Sequence, residues 1–380
     1  MLPVILGFFW LLAAFSMLYM GLIFLFTFGW FRTVFFHQRT VTSLPEVSIV
    51  VAVRNENRRI ISLMKSFAGM DYPQDKVQIV VVDDHSEDDT VELLNEFIKT
   101  HKSLDILLTE TKSTGKKAAV RSGIEQAKYS LIATTDGDCT VGKLWLRRMA
   151  SFYELKSPKL ISGPVVYRRK KGWRQHFFML DFMSLVATGA GSLGVRLPLM
   201  ANGANLMFSK ETYRKVLSRQ KGQNKASGDD VFLLHAVVKE YGAREVAFIK
   251  DTQTVVETEP PENFRQFFRQ RVRWSSKATA YRSWWAVFVS LIVFLFNLLL
   301  ILSLLAAVVR TWFIIIYLLF IVLKTIVEFP LLRHFSEFAG RKQSLFYLFL
   351  FGWVYPFYIV AAAVTSFFFS FSWKGREHLR

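Results

Sequence analysis

Two carboxylates one residue apart, Asp136 and Asp138, close a run of small and apolar residues from Tyr129 to Thr135. A strand there would deliver both acids to the edge of a sheet. Residues i and i+2 on an extended end point the same way, so both can face one site. Two hard oxygen ligands on an open loop suit Mg2+ or Mn2+, which keeps positions free for a substrate phosphate. Taken alone, the pair reads first as a solvated turn, since Asp and Gly are common turn residues.

The segments before this pair change that reading. Glu46 to Val53 is a short apolar run rich in β-branched residues, which predicts a buried strand. Arg58 to Gly69 has Ile60, Ile61, Met64 and Phe67 at helical spacing. Val77 to Val82 is a second buried strand, ending in Asp83-Asp84. A helix from about Asp88 to Lys99 and a strand from Leu104 to Leu108 follow. The loop 111–117, carrying Gly115 and Lys116, leads into a helix through Ala127. Strands alternating with helices predict an α/β fold with a mostly parallel sheet covered on both faces. Ligands of such sheets bind beyond the carboxyl ends of the strands. Asp83, Asp84, Asp136 and Asp138 all fall there. Four acids together are costly unless a cation or hydrogen-bond donors meet them.

Further along, Leu160 to Val166 reads as one strand. Residues 168–199 read equally as an amphipathic segment on a membrane surface or as a core helix with a basic outer face. Asn202-Gly203-Ala204-Asn205 is a polar turn before a short strand, and 246–249 and 254–257 are two more short strands. Asp229 and Asp230 precede a helical pattern, where aspartates often merely cap the helix. Pro260-Pro261 starts a helix whose aromatics and arginines, up to Gln270, Arg273 and Trp274, suit a headgroup boundary.

Composition supplies the setting. Hydrophobic residues make up 52% of the 380 residues, and 37 are phenylalanine. No charged side chain occurs in 2–31, 283–309 or 344–373, and each run exceeds the roughly 20 residues needed to cross a bilayer core. The first is too long for a secretory signal and reads as a retained anchor. Residues 311–332 form another span, with Lys324 and Glu328 read as a structural ion pair, and Pro356 is expected to kink the last run. The net charge of +18 clusters beside these runs, at Arg32, 168–171, 265–273 and Arg341-Lys342. That distribution points to a cytoplasmic catalytic side and anionic lipid, not to nucleic acid. One crossing before and three after the middle domain would leave the basic C-terminus outside. The last run is therefore a re-entrant or two-pass hairpin, or it breaks the positive-inside rule. The single cysteine, Cys139, excludes an intrachain disulfide and a cysteine-based zinc site.

The ordered set Asp83-Asp84, Gly115-Lys116, Asp136-Gly137-Asp138, Gly228-Asp229-Asp230 and Gln270-x-x-Arg273-Trp274 resembles the membrane-bound family 2 glycosyltransferases, over residues 46–280. The resemblance implies a nucleotide-sugar transferase domain of the GT-A type (46–280) between an N-terminal anchor (1–36) and a C-terminal membrane region (281–373). It implies that Asp84, with Asp83, holds the uracil of a UDP-sugar, and that Ala52 and Glu56 line the same pocket. Gly115 and Lys116 would lie near the base and ribose. Asp136 and Asp138 would act through a divalent metal, with Asp138 the more direct ligand. Asp230 would be the general base of an inverting transfer, oriented by Asp229. Gln270, Arg273 and Trp274 would close the site against the acceptor. Many members carry Tyr where this chain has Arg54, and the processive synthases usually have more spans. The expected partners are therefore a UDP-sugar, a lipid or glycan acceptor and the lipid bilayer of a bacterial-type inner membrane. A processive β-polysaccharide synthase is the alternative, and a non-catalytic scaffold or export subunit a more distant one.

Overall fold

The computed structural model describes residues 2–37, 43–218, 229–276, 283–368, 371–373 and 376–378. A long helix, α1 (Leu2–Arg32), comes first. Strands and helices then alternate: β1 (Val47–Val53), α2 (Ile60–Ala68), β2 (Val77–Asp83), α3 (Thr90–Thr100), β3 (Asp105–Glu110), α4 (Lys116–Gln126) and β4 (Leu131–Asp136). β2 is buried along its whole length and β1 at every residue but Ala52, as a central strand covered on both faces requires. β1, β2, β3 and β4 pair in parallel. This confirms the expected α/β architecture in the first half of the domain.

The second half is less regular: β5 (Cys139–Thr140), α5 (Trp145–Lys156), β6 (Leu160–Ser162), β7 (Val165–Tyr167), α6 (Trp173–Gly194), β8 (Leu206–Ser209), α7 (Lys210–Ser218), α8 (Asp229–Tyr241), β9 (Val246–Phe248), β10 (Val256–Thr258) and α9 (Phe264–Ser275). β8 runs antiparallel between β4 and β6, so the main sheet has the order β3-β2-β1-β4-β8-β6-β9. A smaller sheet has the order β5-β10-β7.

The single strand expected over 160–166 is two strands in different sheets. Pro164 has no N–H to give a ladder. Its carbonyl instead accepts from Val256 N at 3.0 Å and from Asn205 Nδ2 at 2.9 Å. Asn205, wholly buried, also donates to Thr254 O at 2.8 Å and accepts from Trp145 Nε1 at 3.0 Å. It is the knot that joins the two sheets. The helix expected from Pro260 starts at Phe264, where Asn263 Oδ1 accepts from Gln266 N at 3.0 Å.

Four more α-helices follow among the described residues, α10 (Trp284–Ala306), α11 (Phe313–Phe338) and the pair α12 (Leu348–Phe351) and α13 (Tyr355–Phe368). Among the described residues, four helices are long and apolar enough to cross a membrane: α1, α6, α10 and α11. Of these, α6 packs on α1 so closely that a Cβ on Gly191 would overlap the carbonyl of Phe26, and one on Gly194 that of Gly29. Most of α6 is buried, which favours the core helix over the surface-lying segment. The last apolar run is broken, its two arms bent by 83°. The break falls at 352–354, and Pro356 sits in the first turn of α13, where its missing N–H costs nothing. Of the basic clusters, Arg168 and Lys170 pair with Glu259 at 2.5 and 2.7 Å. Arg341, largely buried, pairs with Glu257. Much of that charge therefore bridges protein elements.

Candidate active site

A cavity of about 980 Å³ begins at the carboxyl ends of β1 and β4 and runs on between the long helices. At the sheet end it is lined by Ala52, Glu56, Asp84, Lys116, Asp136 and Asp138. The pairing register sets Ala52 beside Asp136. Asp230, Gln270, Arg273 and Trp274 line the same cavity, although up to 222 residues separate Ala52 from Trp274.

Asp84 follows β2, and its Oδ1 accepts from Gly115 N at 2.8 Å. Gly115 makes that approach at φ 106°, a conformation open to glycine. Asp83 and Gly115 are not among the cavity-lining residues. The Asp83 carboxylate instead accepts from Ser86 N at 2.9 Å and from Ser86 Oγ at 2.5 Å, closing the turn after β2. Arg54, which is buried, donates to the carbonyls of Asp84 and His85, both at 2.7 Å, and to Glu87 at 2.9 Å. It ties the end of β1 to the loop carrying Asp84.

Lys116 opens α4 and places its ammonium 2.5 Å from Asp136 Oδ1. Burial pulls its pKa down, but the charges of Asp136, Asp230 and Asp138 outweigh that and raise it. The burial of Cys139, with the charges of Asp138 and Asp136, pushes its thiol well up. The thiol stays protonated and donates to Asp138 Oδ1 at 3.7 Å. Asp230 lies in the first turn of α8. Its Oδ2 accepts from Gly203 N at 3.1 Å, and Gly203 O accepts from Thr134 Oγ1 on β4 at 2.8 Å. The polar turn 202–205 thus holds Asp230 near the strand that carries Asp136. The Asp229 side chain lies outside the described residues.

Helix α9 supplies the other wall. Burial lowers the pKa of Arg273, partly offset by the charges of Asp230 and Asp136, and all three line the same cavity. Gln270 Oε1 accepts from Tyr167 OH and from Arg271 Nη1, both at 2.9 Å. Arg271, absent from the sequence expectations, is buried and pairs with Asp181 of α6 at 2.5 Å. Its Cζ lies 4.2 Å from the Trp274 ring centroid and 4.6 Å from that of Phe267. Asp181 also accepts from Tyr358 OH at 2.7 Å. No spacing in the sequence marks this network, because a single acid in an apolar helix carries no periodic signal.

A divalent cation fits this donor set. Asp138 and Asp136 are hard oxygen donors on one cavity wall, the second already neutralised by Lys116. Among the described residues, no three His, Cys, Asp or Glu side chains close a protein-only cage. That suits a cation shared with a substrate's oxygens.

Comparison with known proteins shows the family and the fold. Residues 48–205 match the family model described as Glycosyl transferase family 2, and 131–371 match that of Glycosyl transferase family group 2. The glycosyltransferase AglE of Haloferax volcanii is 33% identical over 34% of this chain and 43% of its own length. A beta-monoglucosyldiacylglycerol synthase of Nostoc is 31% identical over 30% of this chain and 24% of its own length. The matched stretch is thus under half of either relative. Among solved structures, a mannosyltransferase of Pyrobaculum calidifontis, PcManGT, in complex with GDP-Man and Mn2+, superposes with TM-score 0.65 at 18% identity, over 95% of this chain and 99% of its own. That likeness shows a shared fold. With a family match over more than half its length, the chain belongs to glycosyl transferase family group 2.

Proposed function

We propose that this chain is an inverting, metal-dependent hexosyltransferase that moves a sugar from a UDP-sugar to a lipid or lipid-linked acceptor at the cytoplasmic face of a membrane. Residues 46–280 form the catalytic unit, 1–36 the anchor and 281–373 the remaining membrane region. The observation that carries this reading is a single cavity. It is lined by Asp84, Asp138, Asp230 and Arg273 at one end and by α1, α10, α11 and α13 at the other. A water-soluble donor and an amphiphilic acceptor can meet there.

Asp84, steadied by Gly115 and Arg54, accepts from the ring N–H of the uracil, and Ala52 and Glu56 flank the nucleotide. Lys116 and Arg273 place two cations where the diphosphate lies. A divalent cation held by Asp138 and Asp136 would neutralise the leaving UDP, the main electrostatic task of the reaction. Asp230, oriented by the Gly203 N–H, takes the proton of the acceptor hydroxyl. The acceptor oxygen then bonds to the anomeric carbon as the bond from that carbon to the diphosphate oxygen breaks. The configuration inverts, so an α-linked donor gives a β-glycoside. Gln270 and Trp274 close the acceptor side.

Sidedness follows from Arg32 after α1 and Arg341-Lys342 after α11, both on the catalytic side by the positive-inside rule. The bent α12–α13 pair fits a re-entrant arm, which would return the basic C-terminus to that side.

The test is transfer of radiolabelled sugar from a panel of UDP- and GDP-sugars into membrane lipid extract by the detergent-purified chain. One labelled lipid product from one UDP-sugar supports the proposal. A long polymer would favour the processive alternative. A GDP-sugar as the only donor would overturn the assignment of uracil as the nucleobase. Label incorporated from no donor would favour a scaffold.

A further inference from the structure

Lys324 and Glu328 form an ion pair at 2.7 Å, one turn apart on α11. Both lie more than two turns from either end of a helix long and apolar enough to cross a membrane. Lys324 is 2% exposed, yet both residues line the cavity that holds Asp138 and Asp230. Tyr19 of α1 donates to Glu328 Oε1 and lines the same cavity. The Lys324 ammonium lies 5.5 Å from the Tyr355 ring. Tyr355 lies 5.9 Å from Tyr358, which donates to Asp181. Arg271 then connects Asp181 to Gln270. A series of side-chain contacts, through the Tyr355 and Tyr358 rings and then through hydrogen-bonded groups, thus leads along the cavity wall from a charged pair among apolar helices to the transfer site.

A buried pair is a poor source of stability, since removing both charges in favour of apolar side chains is often neutral or stabilising. Charges at this depth mark functional positions by default. A pair that faces a cavity continuous with a reaction centre has a ligand to meet. Lys324 offers donors only, Glu328 acceptors only, and Tyr19 and Tyr355 add amphipathic rings. The pair is neutral as a whole, so it has no net preference for an anion. It suits a group that both donates and accepts.

We propose that Lys324, Glu328 and Tyr19 form an acceptor subsite that binds a neutral hydroxyl-bearing part of an amphiphilic acceptor, with its apolar chain against α1, α10 and α13. This rests on the transferase reading above and deepens it.

The test uses the full-length protein in detergent with membrane lipid extract and the UDP-sugar that the wild type uses. The double variant K324M/E328L removes both charges together, so no orphan charge is left to unfold the helices. Three readouts are taken: melting temperature, release of UDP by hydrolysis without acceptor, and transfer to the extract. The expected result is a melting temperature within a few degrees of the wild type, unchanged hydrolysis, and transfer reduced at least tenfold. Tyr19→Phe is expected to reduce transfer two- to fivefold with hydrolysis unchanged. Transfer at the wild-type rate in the double variant would make the pair structural and overturn the proposal. So would a parallel loss of stability, hydrolysis and transfer. A wild type that hydrolyses and transfers from no nucleotide sugar would instead refute the transferase reading itself.

Discussion

Lys116 Nζ stands 2.5 Å from Asp136 Oδ1, joining the first residue of α4 to the last of β4. The lysine neutralises one carboxylate of the Asp-x-Asp pair, which in the proposed reaction would leave Asp138 as the more direct cation ligand. Its raised pKa, set by Asp136, Asp230 and Asp138 against the effect of burial, keeps the cation through neutral pH. Lys116→Met is expected to weaken UDP binding on the order of ten- to a hundredfold, the worth of a charge-assisted hydrogen bond at about 1.5–3 kcal/mol. Calorimetry with UDP and Mn2+ reads this directly. An unchanged Kd would assign Lys116 to the fold alone.

The Arg271–Asp181 pair should govern stability. Breaking a buried pair by removing one partner costs about 3–5 kcal/mol, while replacing both with apolar residues is far milder. Asp181→Asn and Arg271→Met are each expected to lower the melting temperature sharply, and R271M/D181L to recover much of the loss. Equal melting of all four proteins would mean that solvent already screens the pair.

The α1–α6 contact leaves no room for a side chain. Gly191→Leu must push Phe26 and its helix away, at about 1–3 kcal/mol or more for overpacking. The same change at Gly21, which has nothing within 4 Å of a built Cβ, is expected to be silent. Comparison of the two melting temperatures checks this.

Lys250 gives a pH signature. Burial pushes its pKa down to about 8, although it donates to Trp30 O at 2.9 Å and sits 4.0 Å from the Trp30 ring centroid. An unfolded lysine titrates near 10.4. Between those values the unfolded chain binds more protons, so this group's contribution to stability rises with pH across that window. Relative to Lys250→Met, the wild type should gain stability from pH 7 to pH 10. Melting curves at pH 7, 8.5 and 10 test the sign. A gap that shrinks instead would contradict the lowered pKa.

The first half of the domain was legible because β1, β2 and β4 are short β-branched runs and α2 and α3 repeat their apolar residues at helical spacing. Their order fixes which strand ends carry acids, so a position for Asp84 and Asp138 beside one cavity could be expected from the sequence. Asp83 could not be told from Asp84, since which of two adjacent acids turns into the cavity depends on a local bond to Ser86. The break at Gly163-Pro164 was hidden inside a run apolar on both sides of it. Arg271, Asp181 and Asn205 were invisible for a different reason. Each does its work through one partner distant in sequence, and pairing of that kind leaves no local pattern. The last run is bent as Pro356 suggested, but the break falls at 352–354, because a proline in the first turn of α13 lacks an N–H that the helix does not use.

In the proposed reaction Asp230 removes the acceptor's proton in a cavity where Asp138 would help to hold a metal and the diphosphate. The most direct measurement is steady-state transfer by Asp230→Asn beside the wild type, with Mn2+ and with EDTA, and with UDP affinity measured on both proteins. The expected result is a fall in kcat of about 10²–10⁴-fold at an unchanged Kd for UDP, and loss of activity in EDTA for the wild type. An Asp230→Asn enzyme that transfers at the wild-type rate would contradict the assignment of the base.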